Sequence, residues 1–213
     1  HSEYGKTRKA QIGEDNVYDF ALGNPSVAPP RVVEDTLIDI LQNGDPVEVH
    51  GYTSAQGDFA VRKAVADYVN SKFSAGLGPD NIYMTCGAAA SLCITLNSLL
   101  NDGDEVITIA PYFPEYKVFT AHARGKLVPV KGQNGTFQPD IAAIKRAITP
   151  KTKAVLINSP NNPSGVVYTE ESIKELCKVL QECKKNGQTI YLISDEPYRE
   201  LVFGGVKVPY IMN

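Results

Sequence analysis

Two polar clusters in this 213-residue chain combine residue types able to hold a polar aromatic ligand. The first is Asn158-Ser159-Pro160-Asn161-Asn162-Pro163-Ser164-Gly165, and the second is Ser194-Asp195-Glu196-Pro197-Tyr198. Each follows an apolar run, Lys153 to Ile157 and Thr189 to Ile193, so each reads as a loop at the carboxyl end of a buried strand. Open α/β sheets bind ligands at such ends. A carboxylate at the mouth of an apolar strand is costly to desolvate, so Asp195 calls for a cationic or N–H partner. Three residues on, Tyr198 can offer a phenol to the same ligand. Asn162 adds an uncharged amide whose direction is restricted by Pro163. The trio suits a polar heteroaromatic ring. Taken singly, Asn161 to Gly165 also reads as a plain turn and Asp195 to Tyr198 as a plain strand-ending loop. Their pairing and order argue for a site.

The elements that would carry these loops alternate along the chain. Strands are expected at Ile82 to Thr85, Glu105 to Ile109, Leu127 to Val130, Lys153 to Ile157 and Thr189 to Ile193. Helical patterns fall near Ala89 to Leu100, Glu115 to Ala123, Pro139 to Ala147 and Glu170 to Lys185. This alternation predicts an α/β fold, a mostly parallel sheet with helices on both faces. Before it, a proline-rich entry (Pro25, Pro29, Pro30) leads to a short helix near Val32 to Leu41. After the turn Gly51 to Gly57, an amphipathic helix runs from Phe59 to Phe73 and ends at Gly76-Leu77-Gly78-Pro79. At Gly87-Ala88-Ala89 an apolar strand would give way to a helix. Free N–H groups and small side chains there could receive an anion, although a tightly packed helix start has the same composition.

Composition narrows the partners. Lys and Arg number 21 against 24 Asp and Glu, a net charge of −3, and no basic block occurs, which argues against nucleic acid. No apolar run approaches the roughly 20 residues that span a bilayer, and the N-terminus does not resemble a signal peptide, so a cytoplasmic location is the expectation. Four cysteines without a Cys-x-x-Cys spacing favour reduced thiols over disulfides or zinc. His50 and His122 stand isolated, so no metal site is expected. Neither a Gly-x-Gly-x-x-Gly fingerprint nor a Gly-Lys-Ser/Thr loop is present, which disfavours dinucleotide binding.

Nearly the whole chain resembles the class I/II aminotransferases, fold-type I enzymes that depend on pyridoxal 5'-phosphate (PLP). The resemblance rests on Phe20-Ala21-Leu22-Gly23-Asn24-Pro25, Gly51-Tyr52-Thr53-Ser54-Ala55-Gln56-Gly57, Thr85-Cys86-Gly87-Ala88-Ala89, Ala110-Pro111-Tyr112-Phe113 and the two loops, in the family's order. It implies that Asp195 bonds the pyridine nitrogen and keeps it protonated, so that the ring can act as an electron sink. Tyr198 and Asn162 would hydrogen-bond the ring's phenolic oxygen, Asn162 also touching the substrate carboxylate. Phe113 would stack on the ring, and Gly87, Ala88 and Ala89 would receive the phosphate. Tyr52 would reach a partner subunit's phosphate in a homodimer, and Gly23 would line the substrate side.

By the same resemblance, residues 1–50 form an N-terminal segment with part of a small domain, and residues 51–213 a truncated PLP-binding domain. The lysine that holds the cofactor covalently is expected after Asn213, because Lys207 lacks the family's context and comes too soon. The chain reads as a fragment of a longer enzyme, inactive by itself, with the last sheet strands also beyond Asn213. His1 and the polar stretch to Asp15 read as part of a longer N-terminal region. The implied reaction moves an amino group between an amino acid and a 2-oxo acid. Open alternatives are a PLP-dependent C–S β-lyase or related enzyme, and a non-catalytic PLP-binding or dimerising module. The family also leads us to expect cis peptide bonds before Pro111 and Pro163.

Overall fold

The structure, a computed structural model, describes residues 2–18, 20, 23 and 27–212. The chain divides into two compact units, one reaching Thr53 and the other starting at Ser54. In the first lie helices α1 (Ser2–Ile12), α2 (Arg31–Asn43) and α3 (Pro46–His50). The expected helix over 32–41 is α2, which starts directly after Pro30. The sequence pattern did not anticipate α1, which is largely polar, or α3, which has one turn. The α3 turn is set locally: Asp45 accepts from the N–H groups of Val47 and Glu48 at 2.8 and 3.1 Å, and Pro46 sits at the first helical position, where its missing N–H costs nothing. Of the Phe20 to Pro25 motif, Ala21, Leu22, Asn24 and Pro25 lie outside the described residues, as does Asn213.

The second unit holds a sheet of β1 (Glu105–Ala110), β2 (Lys126–Lys131), β3 (Thr152–Asn158) and β4 (Tyr191–Asp195), all parallel, in the order β2-β1-β3-β4. The inner strands β1 and β3 are apolar on consecutive positions because both faces are covered. Val106, Ala154 and Leu156 pack against α5 (Ala88–Leu99) and α6 (Glu115–His122) through Leu92, Leu96 and Tyr116. On the opposite face Ile107, Ile109, Val155 and Ile157 meet α7 (Ile141–Ala147) and α8 (Glu170–Lys185) through Ile144, Ile173, Leu176 and Leu180. The expected α/β architecture with helices on both faces is therefore present. Pro129 falls in β2, an edge strand, where a missing N–H is tolerated. Buried Thr108 donates its hydroxyl to the Leu156 carbonyl at 3.0 Å, so no polar group is stranded between β1 and β3.

Three further helix starts follow from side-chain caps. Asp58 receives Val61 N–H at the start of α4 (Phe59–Phe73), Asp140 receives Ala143 N–H in α7, and Thr169 receives Ser172 N–H in α8. One expectation fails: Ile82 to Thr85 is extended but not a strand. A strand is a paired state, and the cross-chain backbone bond of this segment is Met84 N–H to the Gln56 carbonyl, at 2.9 Å. Hydrophobicity alone therefore did not make a ladder. The four cysteines are free thiols.

Leu156 of β3 is fully buried under the α5–α6 layer. Leu156→Ala is expected to lower stability by about 2–5 kcal/mol, read as a reduced urea midpoint at unchanged slope.

Candidate functional site

The two polar loops leave neighbouring strands at the same level, since Asn158 of β3 pairs with Asp195 of β4 in the parallel register. Asn158, buried to 3 % exposure, joins them through its side chain. Its amide donates to the Asp195 carbonyl at 2.8 Å, and its carbonyl oxygen accepts from Asn162 N–H at 2.6 Å. The following turn is closed by Asn161, whose side-chain oxygen accepts from both the N–H and the hydroxyl of Ser164, and by Gly165 at a positive φ of 72°. The peptide bonds before Pro111 and Pro163 are cis, as expected, and so is that before Pro160.

A cavity of about 230 Å³ opens at this end of the sheet, lined by Ala88, Ala89, Leu92, Phe113, Phe119, Asn158, Asn162, Asp195, Pro197 and Tyr198. It thus gathers Ala88, Ala89, Phe113, Asn162, Asp195 and Tyr198 from segments far apart in sequence. Gly87 sits just outside as the residue preceding α5, at φ 95°, a setting that side chains rarely adopt, with open space where a Cβ would be. No side chain caps α5, so the N–H groups of its first turn face outward beside Ala88 and Ala89. Thr85 and Ser91 share a hydroxyl contact of 2.6 Å beneath that turn. Gly23 and Tyr52 belong to the first unit, where both are exposed. Lys207 is exposed in the loop after Phe203.

Asp195 has acquired an unforeseen partner. Tyr116, in the first turn of α6 and 1 % exposed, donates its hydroxyl to Asp195 Oδ2 at 2.6 Å. Burial raises the Asp195 carboxyl above the usual aspartate range, Tyr116 lowers it in part, and neighbouring Glu196 raises it again. Burial first, and then Asp195, push the Tyr116 phenol far upward, so it stays a proton donor at any ordinary pH. Among the described residues no lysine or arginine faces Asp195. Asn162 Nδ2 lies 3.5 Å from Tyr198 Oη, near enough for both to address one acceptor. Phe113 meets Tyr116 edge-on at 5.7 Å between centroids, which fixes its ring at the cavity wall.

Such a pocket can hold a flat heteroaromatic ring carrying a protonated nitrogen toward Asp195, an oxygen toward Asn162 and Tyr198, and an anionic tail toward the start of α5. Sequence reasoning missed Tyr116, Asn158, Leu92 and Phe119. Asn158 carried a signal, a lone amide ending an apolar run. Tyr116 carried a weaker one, one helical turn beyond Phe113. Among the described residues there is no cluster of side chains suited to a metal ion, and no helix long and apolar enough to cross a membrane.

Comparison with known proteins agrees with this geometry. The profile of the family "Aminotransferase class I and II" matches residues 15–211. An aspartate aminotransferase of Thermotoga maritima is 34 % identical over 192 residues, covering 90 % of this chain and 48 % of that protein. The solved structure of an amino transferase from Eubacterium rectale superposes with a TM-score of 0.94 at 50 % identity, covering 99 % of this chain and 53 % of that one. The aspartate aminotransferase structure from Thermotoga maritima gives 0.86 at 32 % identity, with 99 % and 54 % covered. The chain spans about half the length of the curated relatives it matches. On a profile that runs almost from end to end, and on relatives that agree along the same residues, the chain belongs to the class I and II aminotransferases.

Proposed function

We propose that this chain supplies the cofactor cradle of a PLP-dependent aminotransferase that moves an amino group between an amino acid and a 2-oxo acid. The observation that carries the reading is Asp195, a carboxylate held in a cavity, raised by burial and served by a hydroxyl donor but by no cation. The residues present fit PLP. Bound there, PLP would supply an electron sink for the carbon from which a substrate proton is removed. Asp195 would hold a proton on the ring nitrogen, and Tyr116 would fix the carboxylate's direction and share its charge. Asn162 and Tyr198 would address the ring oxygen, Phe113 would keep the ring flat, and the N–H groups after Gly87 would receive the phosphate. Asn162 would also meet the substrate carboxylate, and Gly23 would line the substrate side. Tyr52 would serve the partner's phosphate in a homodimer. The lysine that closes the catalytic set belongs to this proposal as a residue beyond Asn213. The aspartate aminotransferases among the relatives support an acidic amino donor, and the matching names support the transfer reaction over elimination.

Asp195→Asn keeps the shape and removes the charge. PLP affinity of the complete protein is expected to fall by about ten- to a hundredfold, the roughly 1.5–3 kcal/mol of a hydrogen bond to a charged group. Unchanged affinity in a fluorescence titration would sink the assignment. Tyr116→Phe removes an interaction that lowers the Asp195 pKa. Ring binding, which needs the carboxylate, is therefore expected to weaken at a higher pH in the variant than in the parent as the solution is acidified.

Without cofactor, the sign for stability is opposite. Folding raises the proton affinity of Asp195, so its protonated form favours the folded state. That contribution is full below the ordinary aspartate pKa and is lost as pH rises through the raised folded value. Asp195→Asn is expected to flatten this part of the stability–pH curve, measured by urea unfolding at stepped pH.

A further inference from the structure

The loop that carries Asp195 and Tyr198 is anchored by a residue outside the cavity. Arg199 forms a two-pronged ion pair with Glu196, Nε to Oε2 and Nη2 to Oε1, both at 2.7 Å. Its side chain is 11 % exposed, and that of Glu196 is 20 % exposed. Arg199 also donates to the Val208 carbonyl at 3.0 Å and to the Pro209 carbonyl at 2.8 Å. Its guanidinium lies 5.0 Å from the Phe73 ring centroid and 5.2 Å from that of Tyr210, and those two rings stack at 4.3 Å with 8° between planes. Glu196 is held from the other side by the Ser194 hydroxyl at 2.7 Å. One guanidinium therefore ties the end of α4, the turn after β4 and the segment 208–210 together.

We infer that Arg199 is a positioning residue for the cofactor ring: by binding Glu196 it offsets part of the charge of the acid next to Asp195 and fixes the turn that presents Asp195 and Tyr198. This rests on the PLP reading above. The geometry separates two adjacent acids by giving them different partners. Glu196 receives the arginine fork, and the Asp195 carboxylate is left with the Tyr116 hydroxyl, its charge available to the cavity. The groups that face Asp195 are Tyr116 from α6 and Glu196 from its own loop, with Tyr168 and Tyr198 acting on Tyr116. With the guanidinium gone, the Glu196 charge would act on Asp195 uncompensated at close range. Lysine is not an equivalent replacement, since a point charge makes neither the fork, nor both carbonyl bonds, nor the contact with two rings.

The test uses the full-length protein as Arg199→Met, Arg199→Lys, Glu196→Gln and the Arg199→Met/Glu196→Gln double variant. The Asp195 carboxyl is titrated by carbon-13 NMR without cofactor, and PLP affinity is measured by fluorescence. In Arg199→Met the Asp195 midpoint is expected to rise by about one pH unit, and PLP affinity near that midpoint to drop roughly tenfold. Arg199→Lys should fall between Arg199→Met and the parent. Glu196→Gln in the Arg199→Met background should bring the midpoint back down to the parent value or below it, because the unbalanced charge is then absent. A midpoint that does not move in Arg199→Met, or that stays raised in the double variant, overturns the positioning role and shows Arg199 to be a structural tie only. Failure of the parent protein to bind PLP overturns the PLP reading instead, and the NMR arm still decides whether Arg199 governs Asp195.

Discussion

The site depends on one buried amide. Asn158 ends β3 with its side chain 3 % exposed, donating to the backbone of Asp195 and accepting from the backbone of Asn162. Parallel strands fix Asn158 and Asp195 side by side, but strand pairing stops there, and the loops beyond would be free to splay. The Asn158 side chain continues the ladder by one further step into the loops. Asn162 and Tyr198 come within 3.5 Å of each other because their loops are held by the same residue. An amide suits this position because it offers donor and acceptor together without a charge to desolvate; a carboxylate or an ammonium would satisfy one neighbour and strand the other.

Contrast among helix starts shows how the rest of the cavity is made. Aspartate or threonine caps close the ends of α4, α7 and α8, so those helices terminate within their own sequence. Helix α5 begins instead on Gly87 with no capping side chain, followed by three alanines. Its leading N–H groups are left for something outside the helix, and no large side chain stands in front of them. Helices α2 and α6 also start without a side-chain cap, each directly after a proline, but the bare start of α5 borders the cavity beside Asp195, Asn162 and Tyr198, where a ligand can use its donors.

How far this was legible in the sequence differs between backbone and contacts. Continuous apolar runs and helical periodicity located the four strands and the helices from α4 to α8 within a residue or two, because burial on one or both faces writes itself into residue type. Ile82 to Thr85 had the same apolar signature and made no strand, since pairing depends on a neighbour that the segment itself cannot encode. In the site, Asp195, Asn162 and Tyr198 stood out as unusual types at strand ends, while Phe113 was placed by the family resemblance alone. Tyr116 did not, because a tyrosine in an amphipathic helix is usually core, and only the seating of α6 against α5 and the sheet turns its hydroxyl onto Asp195. Arg199 was equally silent, since its partners at Phe73 and Val208 to Tyr210 come together only through the fold.

Two acids in succession pose an electrostatic problem that this structure resolves by division of partners. A buried carboxylate beside another tends to hold its proton, and burial already raises Asp195. Had the guanidinium of Arg199 met Asp195, it would have neutralised the charge that the cavity presents and lowered the benefit of binding a cationic ring. Meeting Glu196 instead, it offsets part of the repulsion while leaving the Asp195 carboxylate to a donor that carries no charge, the Tyr116 hydroxyl. Asp195 is therefore fixed in direction by a neutral bond but left electrostatically unsatisfied. A ligand that brings a proton on an aromatic nitrogen gains from both properties at once, because the acceptor is already oriented and its cost of burial has been met in folding.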